Sequence, residues 1–136
     1  MFELLEHTSD IGVLARGATR EEALVAASKG LVSILVDPAP FRPLEERHFK
    51  ARGSDEVAQI VNWLNEIVFF FDTDGLVFVD FQIDAWTATE IVGRARGERF
   101  DIDRHEFRTG VKAVTYHQFE SHSIPDGWEI RVFVDV

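Results

Sequence analysis

The hydrophobic positions follow two rhythms. Between residues 19 and 36 they recur every three or four residues, so that Leu24, Ala27, Leu31, Ile34 and Leu35 share one face of a predicted helix. Thr19 with Glu22 three residues later reads as a capping box. Its hydroxyl and carboxylate accept from backbone N–H groups that a helix start leaves free. Asp37-Pro38 stops the helix, because proline lacks a donor and restricts the residue before it. A second helix is expected from Ser54, with Asp55 and Glu56 in a first turn where the dipole favours negative charge. Its apolar face is Val57, Ile60, Val61, Leu64, Ile67, Val68 and Phe71, and the turn Asp72-Thr73-Asp74-Gly75 ends it.

Elsewhere the period is two. From Val77 to Ala85, the residues Val77, Val79, Phe81, Ile83 and Ala85 oppose Asp80, Gln82 and Asp84. A strand over 88–96 follows, with a turn expected near Gly97-Glu98. Val111 to Phe119 and Trp128 to Val136 read as an antiparallel pair joined through Ile124-Pro125-Asp126-Gly127. In the last strand Trp128, Ile130, Val132 and Val134 share one side, and Glu129, Arg131, Phe133 and Asp135 the other. Phe2 to Glu6 and Ile11 to Arg16 are shorter strands separated by His7-Thr8-Ser9-Asp10. Leu44 to Arg52, crowded with Glu45, Glu46, Arg47 and His48, suits a sheet edge. Adjacent strand pairs broken by two helices predict an α+β fold, a two-layer sandwich of mostly antiparallel β-strands with two main α-helices, in one domain over 1–136. The two helices, each followed by strands, hint at a duplication that no sequence repeat supports.

Composition limits the chemistry. The chain has 136 residues, 46% of them hydrophobic, enough for a core without staples. Its 14 Lys and Arg against 24 Asp and Glu give a net charge of −10, which argues against unaided capture of nucleic acid. Without cysteine there is no disulfide, thiolate zinc site or cysteine nucleophile. The apolar run Ile67 to Phe71 is far short of the roughly 18 residues of a membrane helix. The start MFELLEHTSD lacks the character of a signal peptide, so a soluble cytoplasmic protein is expected. No phosphate loop, dinucleotide fingerprint, HExxH or GxSxG elbow occurs.

Three constellations remain. His7-Thr8-Ser9-Asp10-Ile11-Gly12 reads as a capped turn, or as a carboxylate offered to a hard cation. Val134-Asp135-Val136 ends a β-forming segment, so the Asp135 side chain and the Val136 carboxylate or carbonyl would lie close together. The plainer reading of Asp135 is an exposed edge aspartate. Calcium takes six to eight oxygens, and Asp10, Asp135 and Val136 together would suit a hard divalent cation better than zinc. In Lys112-Ala113-Val114-Thr115-Tyr116-His117, alternation puts Lys112, Val114 and Tyr116 on one face and His117 on the other. Lys112 and Tyr116 are then a candidate contact pair for a partner or phosphate, and His117 a semi-buried histidine. A basic cluster, Arg94, Arg96, Arg99, Arg104, His105 and Arg108, could meet RNA or an acidic partner. The plainer alternative pairs its arginines with Glu90, Glu98 and Asp101. Phe69-Phe70-Phe71 reads as core packing at a helix end, or as an apolar contact surface.

Read in order, these pieces resemble the archease family. The resemblance comprises the His7–Gly12 motif, Thr19 to Ala27, Trp63-Leu64-Asn65-Glu66, Gly97-Glu98, His105, the KAVTYH run at 112–117 and the final Asp135-Val136. It implies an archease-like α+β protein that is not itself an enzyme. Such a protein serves an RtcB-type tRNA-splicing RNA ligase by promoting its guanylylation and multiple turnover. It also implies a divalent-cation site, usually calcium, with magnesium or manganese also suited to oxygen ligands, held by Asp10, Asp135 and Val136. His7, Lys112 and Tyr116 are the expected partner contacts, and tRNA is met only through the ligase. Ser9 stands where the family commonly has alanine and Val136 where isoleucine is common; neither change removes a ligand oxygen. Two other readings compete. One is a metal-dependent hydrolase using Asp10 and Asp135 with His7 or His117 as acid–base. The other is a chaperone-like binding module.

Overall fold

The computed structural model describes residues 1–6 and 10–136; His7, Thr8 and Ser9 lie outside the described residues. In chain order the elements are β1 (Phe2–Glu6), β2 (Asp10–Gly17), α1 (Arg20–Leu35), β3 (Glu45–Arg52), α2 (Glu56–Asp74), β4 (Leu76–Trp86), β5 (Glu90–Arg99), β6 (Ala113–Ile124) and β7 (Gly127–Asp135). They form a four-stranded sheet, β1-β2-β7-β6, and a three-stranded sheet, β3-β5-β4, with antiparallel pairing throughout. The fold is α+β with two helices and mostly paired strands, as expected. The local pattern did not disclose the division into two sheets, because β2 pairs across most of the chain with β7.

Both helices touch strands of both sheets. Helix α1 packs on β1, β2 and β7 and also on β4, while α2 packs on β3, β4 and β5 and also on β6. A helix contacted from two sides must be apolar on more than one stripe. That is why Ala23, Ala26, Gly30 and Val32 are buried along with the expected Leu24, Ala27, Leu31, Ile34 and Leu35. Gly30 permits close packing here, since a Cβ would lie 2.6 Å from Val13 Cγ1. Trp63 on α2 is fully buried and its indole N–H donates to Ser28 Oγ on α1 at 3.0 Å, tying the helices together.

The caps are close to expectation. Thr19 Oγ1 accepts from the Glu22 N–H at 3.1 Å, and the Glu22 carboxylate reaches back to the Ala18 N–H at 2.9 Å. Asp55 rather than Ser54 caps α2, accepting from the Ala58 N–H at 2.8 Å. Gly75, with φ 65°, closes the other end in the left-handed conformation expected of a C-terminal glycine.

Three strands depart from their patterns. The expected turn at Gly97-Glu98 is absent, and β5 runs through it to Arg99. Glycine stands at 97 for proximity, because a Cβ there would collide with the Val77 carbonyl of β4. Irregularities between Phe78 and Asp80 and between Ile83 and Ala85 break the alternation of β4, so Val77 and Phe78 are both buried. In β6, Thr115 pairs with Phe133 and Glu120 with Arg131, so residues 116–119 bulge opposite Val132 alone. Gln118 in that bulge has φ 50°. The edges are thereby blunted against further pairing, β3 by its charges and β4 and β6 by bulges. Among the described residues no helix is long and apolar enough to cross a membrane.

Candidate functional site at the ends of β2 and β7

Strand β2 begins at Asp10, one residue before the hydrophobic pattern does, because its register with β7 runs to the last paired residue. Asp10 lies opposite Asp135, Ile11 opposite Val134, Gly12 opposite Phe133, Leu14 opposite Arg131 and Arg16 opposite Glu129. Val13, Ala15, Ile130, Val132 and Val134 are buried against the helices. Asp10, Gly12, Leu14 and Arg16 share the outer face with Asp135, Phe133, Arg131 and Glu129. Directly opposite residues on antiparallel strands have Cβ atoms about 5 Å apart, so two carboxylates leave the sheet side by side. Asp10 is half-buried and Asp135 exposed. The segment leading into β6 supports this corner, since the Lys112 N–H donates to the Asp135 carbonyl at 2.8 Å. Asn65 of α2 then acts on Val114 like an extra strand residue, accepting from its N–H at 2.9 Å and donating to its carbonyl at 3.4 Å.

The donor chemistry of this corner fits a hard cation. Its two side chains offer oxygen only, with neither thiolate nor imidazole among the described residues that converge there. Among the described residues, no group of three or more His, Asp or Glu side chains is placed so that it could hold a metal ion. The remaining coordination of an ion would therefore fall to main-chain oxygen, such as that of Val136, and to water.

The other sequence-derived candidates are distributed differently. His7 lies outside the described residues. Lys112 and Tyr116 are both exposed, but Val114 between them is buried, and the bulge at 116–119 ends the alternation expected to align them. His117 is exposed rather than semi-buried, and its ring meets the Phe133 ring edge-on at 6.3 Å. The basic cluster is largely neutralised, with partners mostly other than those expected. Arg94 pairs with Asp84 at 3.0 Å, Arg96 with Glu46 at 2.9 Å, Arg99 with Glu45 at 3.3 Å and Arg104 with Glu98 at 3.2 Å. Glu90 instead meets Arg52, at 3.6 Å.

His105 leaves the basic cluster altogether. Its ring is buried and stacks on Phe41 at 3.7 Å. Nδ1 accepts from the Asp101 N–H at 2.9 Å, which leaves the proton on Nε2 to donate to Glu98 at 2.9 Å. Burial pushes the Glu98 carboxyl up, but hydrogen bonds from Arg104, His105 and Arg42 outweigh it and hold the pKa at about 2. This network ties the end of β5 to the segments on either side. Of the phenylalanine triplet, Phe70 and Phe71 pack against the core, whereas Phe69 is 54% exposed. Sequence reasoning placed Gly12 in the His7–Gly12 motif and passed over Phe133, which the register sets opposite it. The available signal was a phenylalanine on the polar side of the β7 alternation, opposite a glycine.

Comparison with known proteins is consistent along the whole chain. Residues 2–136 match the model of the Archease protein family (MTH1598/TM1083). The protein named archease of Methanopyrus kandleri is 38% identical over 99% of this chain and 99% of its own, and that of Pyrococcus furiosus 34% identical over 99% and 98%. The solution structure of protein 1598 of Methanobacterium thermoautotrophicum superposes with a TM-score of 0.82 at 30% identity, covering 99% of this chain and 98% of that one. The crystal structure of a Thermotoga maritima archease, described as a possible chaperone, has a TM-score of 0.67 at 20% identity and covers 100% of this chain and 98% of its own; it shares the fold. With its full-length family match, its relatives above 30% identity and its two-sheet α+β architecture, the chain belongs to the archease family.

Proposed function

We propose that the protein is a cytoplasmic accessory factor, not itself an enzyme, that promotes guanylylation and multiple turnover of an RtcB-type tRNA-splicing RNA ligase. The observation that carries this reading is the register of β2 on β7, which sets Asp10 directly opposite Asp135 on the outer face of the sheet. Like charges opposite one another weaken a sheet, so such a pair calls for a role other than stability. Asp10 and Asp135, with main-chain oxygen of Val136, would hold a divalent cation, calcium by donor type and magnesium or manganese by the same oxygen chemistry. When bound, the cation supplies positive charge that joins the two strand ends and can be presented to a partner. Lys112, exposed just before β6, Tyr116, exposed on β6, and His7 offer the partner contacts. The net charge of −10 agrees with tRNA being met only through the ligase.

The test counts ligation turnovers per ligase, with RNA and GTP, in the presence and absence of this protein. Wild type is expected to raise the count, and Asp10→Ala and Asp135→Ala to abolish the effect while leaving the circular-dichroism spectrum unchanged. Full activation by both variants sinks the proposal. A chaperone-like role is favoured by one feature, a mostly apolar groove of about 310 Å³ between the edge strands β1 and β4, lined by Phe2, Val32, Pro38, Ala39, Phe78 and Val79 together with Lys29. That reading expects suppression of aggregation of an unfolded client with neither metal nor ligase present.

A further inference from the structure

We infer that Phe133 and Gly12 are positioning residues for the Asp10–Asp135 pair; the inference rests on the cation reading above. Phe133 lies on the polar face of β7, yet it is only 4% exposed. Its ring occupies the space that a side chain at position 12 would need. A Cβ on Gly12 would stand 2.8 Å from Phe133 Cε1, 3.1 Å from Phe133 Cζ and 3.0 Å from Leu5 Cβ. The backbone of Gly12 does not adopt the left-handed conformation, so room for the ring, not flexibility, explains a glycine here. The bulge of β6 brings His117 against the ring from the far side, with the ring planes inclined at 66°.

The consequence for the carboxylates follows from alternation. The outer-face neighbour of Asp135 along β7 is Phe133, and that of Asp10 along β2 is Gly12, beneath the same ring. One flank of the pair is therefore an aromatic wall. Beyond the wall lies Arg131, whose guanidinium donates to the Gln118 carbonyl at 3.1 Å and pairs with Glu120 at 3.4 Å. Along the outer face the ring stands between this arginine and the two aspartates, which leaves the strand ends as the side from which an ion would be met. Groups that orient metal ligands without touching the ion govern affinity through that orientation.

Calcium titration calorimetry on the full chain, with circular dichroism to confirm folding, tests this. Gly12→Ala, which displaces the ring, and Phe133→Leu, which removes it, are each expected to weaken Ca²⁺ binding by about tenfold. Phe133→Tyr, which keeps the ring, should bind as wild type. The double variant Gly12→Ala/Phe133→Leu should lose no more than the weaker-binding single, because both changes break one contact. A merely structural role would lower the melting temperature and leave affinity alone. Wild-type affinity in folded Gly12→Ala and Phe133→Leu, with binding lost in Asp10→Asn, overturns this inference and spares the cation reading. Absence of Ca²⁺ binding by wild type, or binding undiminished in Asp10→Asn, overturns both.

Discussion

The two sheets treat charge on their outer faces in opposite ways. In β3-β5-β4 the cross-strand neighbours are complementary: Glu46 faces Arg96, Arg96 faces Asp80, and Arg94 takes two hydrogen bonds to Asp84. In β1-β2-β7-β6 the same rule holds at one end, where Arg16 faces Glu129 and bonds it at 2.8 Å, and Glu120 faces Arg131. It fails at the other end, where Asp10 faces Asp135. A fold that pairs opposite charges elsewhere on these faces does not set like against like for stability. The exception marks the proposed cation corner more clearly than any cavity does. The largest expected effect turns on that exception. Calcium at a hundredfold excess over its Kd should stabilise wild type by about 2.7 kcal/mol in urea unfolding, and Asp10→Asn should remove the gain. An equal gain in the variant would place the ion elsewhere.

A second contrast lies between this open corner and the Glu98 network. Both involve carboxylates, but Glu98 is buried and supplied with Arg42, Arg104 and His105. Its pKa of about 2 lies below the ordinary 4.5, so its contribution to stability is complete above pH 4.5 and is lost as pH falls toward about 2. Glu98→Gln should cost about 1 to 2 kcal/mol at neutral pH. The figure sits low in the range for charged hydrogen bonds because Arg42 and Arg104 keep partial access to water. The gap between variant and wild type should narrow as the pH of the urea series drops below 4.5. A constant gap would show that Glu98 acts through shape and not charge.

The two contrasts also show which parts of the molecule sequence can disclose. Helices were legible because their signals are local: Thr19 with Glu22, Asp55 with its N–H partner three residues on, and Gly75 at the end. The alternation of β7 correctly divided Ile130, Val132 and Val134 from Glu129, Arg131 and Asp135. What escaped depends on distant partners. Gly97 looks like a turn until Val77 of β4 is placed beside it, and Arg94 finds Asp84 and Glu46 only once β3, β4 and β5 are aligned. The bulge at 116–119 has no local mark, since Tyr116, His117 and Phe119 all suit a strand. Asp10 and Asp135 stand at opposite ends of the chain, and spacing alone left each with a plainer reading. A joint reading as a cation set stood beside these, and the resemblance to a family favoured it; the β2–β7 register makes the two residues neighbours.

The smaller predictions probe the cost of the exception. In cation-free buffer Asp135→Asn should stabilise the protein by about 0.2 to 1 kcal/mol, by removing a like-charge opposition at the ends of two paired strands. A loss of stability instead would mean that Asp135 makes favourable contacts without any ion, and would weaken the contrast between the two ends of the sheet. The smallest effect belongs to the ladder of the other sheet. Arg96→Gln removes the partner of Glu46, whose carboxyl the Arg96 hydrogen bond holds below its usual range. Both groups are exposed, so the exchange of one hydration shell for one ion pair leaves little net gain, and salt screens what remains. The melting temperature of Arg96→Gln should differ measurably from wild type only at low ionic strength. A large shift that persisted at high salt would show that this ladder holds the sheet together, and complementary pairing could then no longer serve as the neutral background against which Asp10 and Asp135 stand out.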